Sequence, residues 1–152
     1  MEYTLKVNSS NDMVAFGEKL GRFLEENMVI LMEGDLGAGK TTMTKGIAKA
    51  LGVTRVVNSP TFTILKIYDG RLKLYHMDVY RLSNDSGDEY LEEYFEAGGV
   101  TIIEWAHQVS SILPKEYLLI NIEYLDDGSR LVKALPNGEK YERLLKKVTD
   151  ND

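Results

Sequence analysis

The sequence predicts a single α/β domain in which helices flank a sheet that mixes parallel and antiparallel strands. Two short apolar runs, Met28 to Met32 and Val100 to Ile103, have the length and composition of buried strands and are joined to helix-like segments. Hairpin signals at Asp69-Gly70 and Asp126-Asp127-Gly128 add antiparallel pairs. A chain of 152 residues suits one domain spanning 1–152.

The chain is predicted to begin with a strand and a helix. Tyr3 to Val7 alternates apolar and polar residues, which indicates a half-buried strand. Asn8 to Asp12 is rich in helix N-cap residues, and could also lie near the base of a bound nucleotide. Apolar residues then recur at helical spacing and predict a core-facing helix: Met13, Phe16, Leu20, Phe23 and Leu24.

A glycine-rich segment follows the first buried strand. Residues 34–41 match G-x-x-x-x-G-K-[ST], and a helix that should end near Leu51-Gly52 comes after them. Backbone N–H groups at a helix N-terminus form a cage for phosphate, which Lys40 would reach, and the Thr41 hydroxyl would bind Mg²⁺. The predicted nucleotide-binding residues here are Asp35, Leu36, Gly37, Ala38, Gly39, Lys40, Thr41 and Thr42.

The middle of the chain is predicted to be a loop and a hairpin. Pro60 excludes a regular central strand around it, while Phe62 to Tyr68 and Arg71 to Tyr80 are expected to be extended. In the second strand, alternation places His76 and Asp78 on one face, near the strand end where sites in α/β folds tend to lie.

The last part of the chain predicts a short helix, a hairpin and a closing helix. Ser83 to Asp88 is polar and turn-like, and Glu89 to Phe95 could be a short helix. Leu118 to Leu125 and Arg130 to Leu135 are the expected strands of the hairpin. Ser110 to Pro114 reads as a connector. The closing amphipathic helix presents Tyr141, Leu144, Leu145 and Val148.

Hydrolysis or transfer of a phosphoryl group needs a carboxylate near the magnesium ion. A buried strand that ends in an acid, Val100 to Glu104, has the Walker-B form with Glu in place of the commoner Asp. Glu104 could hold Mg²⁺ directly, hold it through water, or orient the attacking water; the alternative is an ordinary glutamate at a strand end. Asp78 is the second candidate, with loop capping or pairing with Arg81 as its alternatives.

Three further residues complete the candidate site. Thr61 could supply a hydroxyl near the γ-phosphate, as threonines of switch loops do, or could only serve the turn at Pro60. Trp105 either lies near the nucleotide or fills the core. His76 alone is more typical of a structural histidine. The predicted catalytic residues are therefore Lys40, Asp78 and Glu104, with Thr41 and Glu104 at the magnesium ion.

Composition narrows the function classes. With a net charge of −6 and a pI of about 5.0, the chain is not expected to bind nucleic acid strongly by itself. No apolar run approaches the roughly 20 residues of a membrane span, and the N-terminus has no signal-peptide pattern. The absence of Cys fits a reducing compartment. A cytoplasmic location is expected.

Four blocks in this order resemble the TsaE (formerly YjeE) family: 34–42 Gly-Asp-Leu-Gly-Ala-Gly-Lys-Thr-Thr, 58–63 Asn-Ser-Pro-Thr-Phe-Thr, 76–82 His-Met-Asp-Val-Tyr-Arg-Leu and 103–105 Ile-Glu-Trp. The resemblance implies a P-loop NTPase that hydrolyses ATP with Mg²⁺. It also implies work beside the TsaD–TsaB complex, which helps place the threonylcarbamoyl group on adenosine 37 of tRNAs that read ANN codons. The family ATPase would bind that complex and support its turnover.

The resemblance also assigns roles by position. It makes Lys40 and Thr41 phosphate and magnesium contacts, with Thr42 also implicated. Glu104 becomes a carboxylate on the magnesium side and Asp78 a second acid of the catalytic site. Thr61 becomes a residue of a switch loop, and Trp105 a neighbour of the nucleotide. Arg130 lies where family members often carry Arg, and its role stays open.

One segment departs from the family, and two other functions are weighed. Residues 83–91 are shorter than the acidic-apolar segment of many members, which affects a surface that partners could contact.

A small-molecule kinase of the P-loop class remains the alternative, although the arginines that would clamp phosphates are scattered along the chain. No Lys-x-Asp occurs, which disfavours a guanine-specific switch protein.

Overall fold

The computed structural model describes residues 2–35, 37–61 and 63–150. Within these ranges, seven strands form one sheet in the order β1-β7-β6-β2-β5-β4-β3. In chain order the strands and α-helices are β1 Tyr3–Val7, α1 Ser10–Gly21, β2 Val29–Gly34, α2 Lys40–Ala50, β3 Leu65–Tyr68, β4 Leu74–Asp78, β5 Val100–Glu104, β6 Tyr117–Tyr124, β7 Arg130–Asn137 and α3 Glu139–Asp150. Two 3₁₀ helices, Glu89–Glu96 and Ala106–Ile112, flank β5 along the chain.

The centre of the sheet is parallel and its margins are antiparallel. β2 pairs in parallel with both β5 and β6, and β4 pairs in parallel with β5. β7 pairs antiparallel with β1 and β6, and β3 pairs antiparallel with β4. The carboxyl ends of β2, β4 and β5 therefore meet at one edge of the sheet, which is where open α/β sheets place their ligands. The predicted mixed α/β sheet is confirmed.

Two apolar clusters cover the two faces of the sheet. The larger one joins α1, α2 and α3 to residues such as Ile30, Met32 and Ile102. The smaller one joins the two 3₁₀ helices to the alternate residues Leu31, Met77 and Ile103. Because side chains alternate along a strand, these sets point to opposite sides. One face is thus covered by three α-helices and the other by short helical turns.

The contact between α1 and α2 depends on two glycines. A Cβ atom on Gly17 would lie 2.3 Å from the carbonyl oxygen of Met43, and one on Gly46 would lie 2.1 Å from that of Val14. Only glycine allows backbones to approach so closely. The position of α2, and of the loop that precedes it, is therefore set by direct backbone contact with α1.

Two predicted boundaries differ from the structure, because both strands of the β3–β4 hairpin begin later than the sequence pattern suggests. The strand expected over 62–68 begins at Leu65, because Ile64 has φ 68° and interrupts the extended backbone. Phe62, where the prediction began, lies outside the described residues. Tyr68 and Leu74 are the cross-strand pair of β3 and β4 nearest the turn, so residues 69–73 form the connecting loop. The predicted two-residue turn at Asp69-Gly70 is therefore wrong. In that loop, the Arg71 N–H donates to the Leu51 carbonyl at 2.7 Å instead of extending the ladder.

Two smaller differences concern helices. α1 ends at Gly21, so Phe23 and Leu24 lie beyond it, although Leu24 is buried in the larger cluster. Part of the connector predicted at 110–114 belongs to the 3₁₀ helix Ala106–Ile112. None of the described helices combines the length and apolar character that crossing a membrane requires.

Candidate nucleotide-binding site

The glycine-rich loop turns the chain from β2 into α2. Gly37 has φ 76° and Gly39 has φ 119°, both in the left-handed region that favours glycine. Gly39 is the N-cap of α2, so the first N–H groups of that helix are left for an external acceptor. The Asp35 carbonyl accepts from the Ala38 N–H at 3.1 Å and closes the turn. Predicted residue Leu36 lies outside the described residues.

Lys40 is buried at the start of α2. Its Nζ donates to the Gly34 carbonyl at 2.7 Å and lies 3.7 Å from the centroid of the Trp105 ring. Burial lowers the pKa of Lys40, while the nearby carboxylates of Glu104 and Asp78 act in the opposite direction. The ammonium group is thus held beside the loop by weak neutral partners, which an anion of higher charge could replace.

The two predicted carboxylates come from neighbouring parallel strands. Asp78 ends β4, Glu104 ends β5, and the two are register partners. Both are buried, with 6% and 4% of their surface exposed. Such burial of acidic residues requires specific partners, because an ionised carboxylate loses its hydration there.

Glu104 has two hydrogen-bonding partners. Its Oε2 lies 2.6 Å from His76 Nε2 and accepts from the Thr41 hydroxyl at 3.4 Å. In the tautomer that carries its hydrogen on Nε2, His76 donates to the Glu104 carboxylate in this contact. His76 is fully buried, and its Nδ1 has no hydrogen-bond partner among the described residues. The histidine therefore orients the Glu104 carboxylate, a role beyond the structural one expected from the sequence.

Asp78 connects the end of β4 to the loop that carries Thr61. Its Oδ2 accepts from the Thr61 hydroxyl at 3.1 Å, and its Oδ1 accepts from the Tyr80 N–H at 3.0 Å. The Arg81 guanidinium donates to the Thr61 carbonyl at 2.7 Å. The Thr61 hydroxyl also lies 2.6 Å from that of Ser59. The predicted switch-loop threonine is thereby placed beside the carboxylates.

Trp105 directly follows Glu104 and has a left-handed backbone with φ 64°. This conformation is costly for a large side chain and marks functional sites more often than ordinary turns. It places the indole beside Lys40, and the Tyr80 ring packs edge-on against it with centroids 4.8 Å apart. Trp105 thus lines the cavity and also packs against the smaller apolar cluster.

Two cavities lie on either side of the glycine-rich loop. The first, of about 280 Å³, is lined by Gly37, Gly39, Lys40, Thr41, Thr42, Ser59, Thr61, Asp78, Glu104 and Trp105. The second, of about 290 Å³, shares three of these residues and is otherwise lined by Val7, Asn8, Ser9, Ser10, Met13, Ala38, Gly128 and Arg130. Most of the predicted site residues therefore line one cavity, and the predicted N-cap segment lines its neighbour.

The oxygen atoms of the first cavity suit a magnesium ion. The Thr41 hydroxyl and the Glu104 carboxylate are in contact, and Asp78 lines the same space. Mg²⁺ prefers such hard oxygen ligands and usually takes only one or two from protein, with phosphate and water supplying the others. Thr41 and Glu104 are therefore the residues that could hold such an ion.

Three residues outside the predicted site set are brought to this region by the structure, and of these only Arg130 is singled out by the sequence, with its role left open. Ser59 lines the first cavity, and Tyr124 and Arg130 bind the carbonyl groups of Gly37 and Ala38. Ser59 could have been suspected from its place two residues before Thr61. Tyr124 carries no local signal, because its contact depends on the neighbourhood of β6 and β2.

Comparisons with known proteins identify the family of this chain. The family model described as "Threonylcarbamoyl adenosine biosynthesis protein TsaE" matches residues 7–132. The tRNA threonylcarbamoyladenosine biosynthesis protein TsaE of Bacillus subtilis is 48% identical over 139 residues, which cover 91% of this chain and 88% of that protein. The protein of the same name from Treponema pallidum is 44% identical over 130 residues, covering 80% of this chain and 92% of that one.

A solved structure gives the same result for the fold. The crystal structure of Bacillus subtilis YdiB superposes with a TM-score of 0.90 at 40% identity, covering 100% of this chain and 97% of that chain. The family resemblance and the P-loop NTPase fold expected from the sequence are therefore confirmed. The chain belongs to the TsaE family of tRNA threonylcarbamoyladenosine biosynthesis proteins.

Proposed function

We propose that the protein is a Mg²⁺-dependent ATPase that acts with the TsaD–TsaB complex in forming N6-threonylcarbamoyladenosine at position 37 of tRNAs reading ANN codons. The observation that carries the proposal is a single cavity in which Lys40, Thr41, Asp78 and Glu104 meet. A phosphate-binding lysine, a hydroxyl for the metal ion and two carboxylates are the groups that nucleotide hydrolysis requires. Membership of the family supports the pathway and the need for partners.

The phosphates would bind at the glycine-rich loop. The free N–H groups at the start of α2 would donate to phosphate oxygens, and the positive end of the helix dipole adds to this attraction. Lys40 would exchange the Gly34 carbonyl for a phosphate oxygen, a stronger partner because the contact is then between opposite charges. A magnesium ion held by Thr41 and Glu104 would neutralise phosphate charge when bound.

The adenosine would lie in the second cavity. This cavity adjoins the glycine-rich loop opposite the carboxylates, and shares Gly37, Gly39 and Thr42 with the first. Asn8 and Ser10 line it with polar groups, and Met13 contributes an apolar contact. Binding sites for small molecules commonly combine such apolar walls with a few polar groups.

The carboxylates would act on the water that attacks the terminal phosphate. Glu104 is oriented by His76, while Asp78 is oriented by Thr61 and by the backbone at Tyr80. A carboxylate that accepts a hydrogen bond from water aligns it for attack. Because Thr61 lies on a loop, a partner protein could adjust this side of the site, and we expect weak hydrolysis by the isolated protein.

Calorimetry tests the nucleotide site. We expect the wild-type protein to bind ATP with Mg²⁺ and to discriminate against GTP. Lys40→Ala should remove ATP binding, because the buried ammonium is the principal cation of the cavity. Lys45→Ala is the matched control, since Lys45 is an exposed lysine of the same helix and should bind ATP normally. Failure of the wild-type protein to bind any nucleotide would refute the proposal at its first step.

Addition of purified TsaD–TsaB tests the accessory role. The wild-type protein should join the complex in an ATP-dependent way and hydrolyse ATP faster there, whereas Lys40→Ala should do neither. If ATP binds but the complex changes neither the rate of ATP hydrolysis nor the affinity for ATP, the accessory role would be refuted. The small-molecule kinase would then be the favoured alternative. As tRNA modification is the proposed context, fractionation of cells should place the protein in the cytoplasm.

A further inference from the structure

The hairpin formed by β6 and β7 holds the backbone of the glycine-rich loop. The Tyr124 hydroxyl donates to the Gly37 carbonyl oxygen, and Arg130 Nε donates to the Ala38 carbonyl oxygen at 3.1 Å. Two consecutive carbonyl groups of the loop are therefore held by side chains that are 87 and 92 residues away in sequence. We refer to Tyr124 and Arg130 together as the hairpin clamp.

The two side chains of the hairpin clamp also support each other. Tyr124 and Arg130 are cross-strand partners at the end of the β6–β7 ladder. The guanidinium carbon lies 3.9 Å from the centroid of the tyrosine ring, and Nη1 donates to the Gly128 carbonyl at 2.7 Å. Cation–π packing and cross-strand pairing fix both side chains before any ligand arrives.

The turn that leads into Arg130 is itself fastened. Asp127 accepts hydrogen bonds from the hydroxyl and the N–H group of Ser129, and its other oxygen accepts from Lys6 Nζ at 2.8 Å. Lys6 belongs to β1, which pairs with β7. The hairpin clamp is therefore anchored in the sheet and does not rest on a free loop.

Peptide geometry links these contacts to phosphate binding. In a trans peptide the carbonyl group of one residue and the N–H group of the next point in opposite directions. Holding the Gly37 and Ala38 carbonyls therefore fixes the directions of the Ala38 and Gly39 N–H groups. The Ala38 N–H donates to the Asp35 carbonyl and closes the turn, and the Gly39 N–H belongs to the N-cap residue of α2. Without these contacts, the backbones of Gly37 and Gly39 could adopt many other conformations.

We propose that Tyr124 and Arg130 are positioning residues that keep the glycine-rich loop in its phosphate-binding conformation. The inference deepens the proposed function and rests on it, because it concerns the affinity of that site for nucleotide phosphates. Arg130, whose role the sequence leaves open, acts through the Ala38 peptide, and Tyr124 acts through the Gly37 peptide.

The first measurement compares nucleotide affinities. Tyr124→Phe removes the hydroxyl and keeps the ring, and should weaken ATP binding roughly fivefold; Arg130→Met removes a charged donor and should weaken it about tenfold. Arg130→Lys should recover part of the loss. Tyr90→Phe and Arg143→Lys are matched controls at exposed positions away from the loop, and should bind as the wild type does.

Arg130 also lines the second cavity, so direct contact with the nucleotide is the competing explanation. The double variant separates the two, because residues that hold one loop together should lose less in combination than the product of their separate effects. If Arg130→Met weakens binding while Tyr124→Phe binds like the wild type, Arg130 contacts the nucleotide directly and the hairpin clamp is refuted.

Amide hydrogen exchange provides a readout without nucleotide. The peptide covering 34–42 should exchange faster in Tyr124→Phe and Arg130→Met than in the wild type and the controls, while melting temperatures stay close to the wild-type value. Unchanged exchange in this peptide would overturn the hairpin clamp even if the wild type binds ATP. A wild type that binds no nucleotide would instead refute the proposed function, so the two failures are distinguishable.

Discussion

The candidate site has two walls, and one presents mainly backbone groups whereas the other presents side chains. One wall is backbone: the glycine-rich loop and the start of α2, placed by glycine contacts with α1 and by the hairpin clamp. The other wall consists of side chains: Asp78, oriented by Thr61 of the same cavity, and Glu104, oriented by the buried His76 behind it. Under the proposed function, the first wall would bind the phosphates and the second would act on them, so substitutions should separate nucleotide affinity from hydrolysis rate.

The largest expected effect is on the reactive wall. Glu104→Gln keeps the size of the side chain and removes its charge, so ATP hydrolysis should fall by about 10²–10³-fold. Nucleotide affinity should change much less, because the loop backbone and Lys40 remain. Steady-state hydrolysis and calorimetry give the two values, with the exposed Glu123→Gln as control. Equal losses of rate and affinity would contradict the division between the walls.

His76 tests the same wall one step further from the cavity. His76→Leu leaves Glu104 without its closest donor and should lower the hydrolysis rate about 10–100-fold, a size typical of residues that orient a metal ligand. His76→Gln supplies another N–H donor and should recover part of the rate. If His76 had only a structural role, His76→Leu and His76→Gln would hydrolyse ATP at the same rate once both are compared at the same folded fraction. Circular dichroism measures that fraction.

Gly46 tests the placement of the binding wall. Alanine improves helix propensity by about 1 kcal/mol, whereas overpacking costs about 1–3 kcal/mol and here meets the rigid Val14 backbone. We expect Gly46→Ala to lower the free energy of unfolding by up to about 2 kcal/mol. Urea denaturation measures this change, and the exposed Lys45→Ala in the same helix is the control. A gain in stability would show that the two helices separate without cost.

The smallest effect concerns the anchor of the hairpin. Hydrogen bonds from Lys6 and Ser129 hold the pKa of Asp127 well below its usual value of 3.8. A lowered carboxyl pKa stabilises the folded state above the unfolded pKa, and this contribution is lost as the pH falls through the folded value.

Asp127→Asn should therefore have a slightly lower melting temperature than the wild type near neutral pH. This difference in melting temperature should become smaller below pH 3.8. Melting curves of both proteins across this range measure the gap. Because Asp127 is exposed, the whole effect is small. Lys6→Met should reproduce part of it. A gap that stays constant with pH would show that the carboxylate charge makes no contribution.

The contiguous parts of the site could be predicted from the sequence, and the contacts between distant parts could not. The glycine-rich loop and Glu104 lie in segments whose pattern is local, so their positions were expected. Alternation also placed His76 and Asp78 on one face. The contact between His76 and Glu104, however, depends on β4 lying beside β5. The hairpin clamp likewise requires β6 beside β2, and no local pattern specifies that strand order.

The predicted boundaries were wrong where tertiary contacts compete with local turn chemistry. Asp69-Gly70 has the composition of a tight hairpin, yet the next residue bonds to helices and not to β3. The Arg71 guanidinium donates to the Gly21 carbonyl at 2.9 Å, and its N–H donates to Leu51. These two long-range bonds widen the loop to 69–73, which propensity within the hairpin cannot reveal.

The contact between Lys40 and Trp105 has an optical consequence. The chain contains one tryptophan, and its indole lies 3.7 Å from the ammonium group that would bind phosphate. Movement of Lys40 to a phosphate would remove a cation from the face of the ring and change its electrostatic surroundings. The emission of this single tryptophan, excited selectively over the tyrosines, would then follow nucleotide occupancy. Stopped-flow mixing could measure the rate of the binding step in unlabelled protein, because every variant proposed above retains Trp105 as its fluorescent reporter.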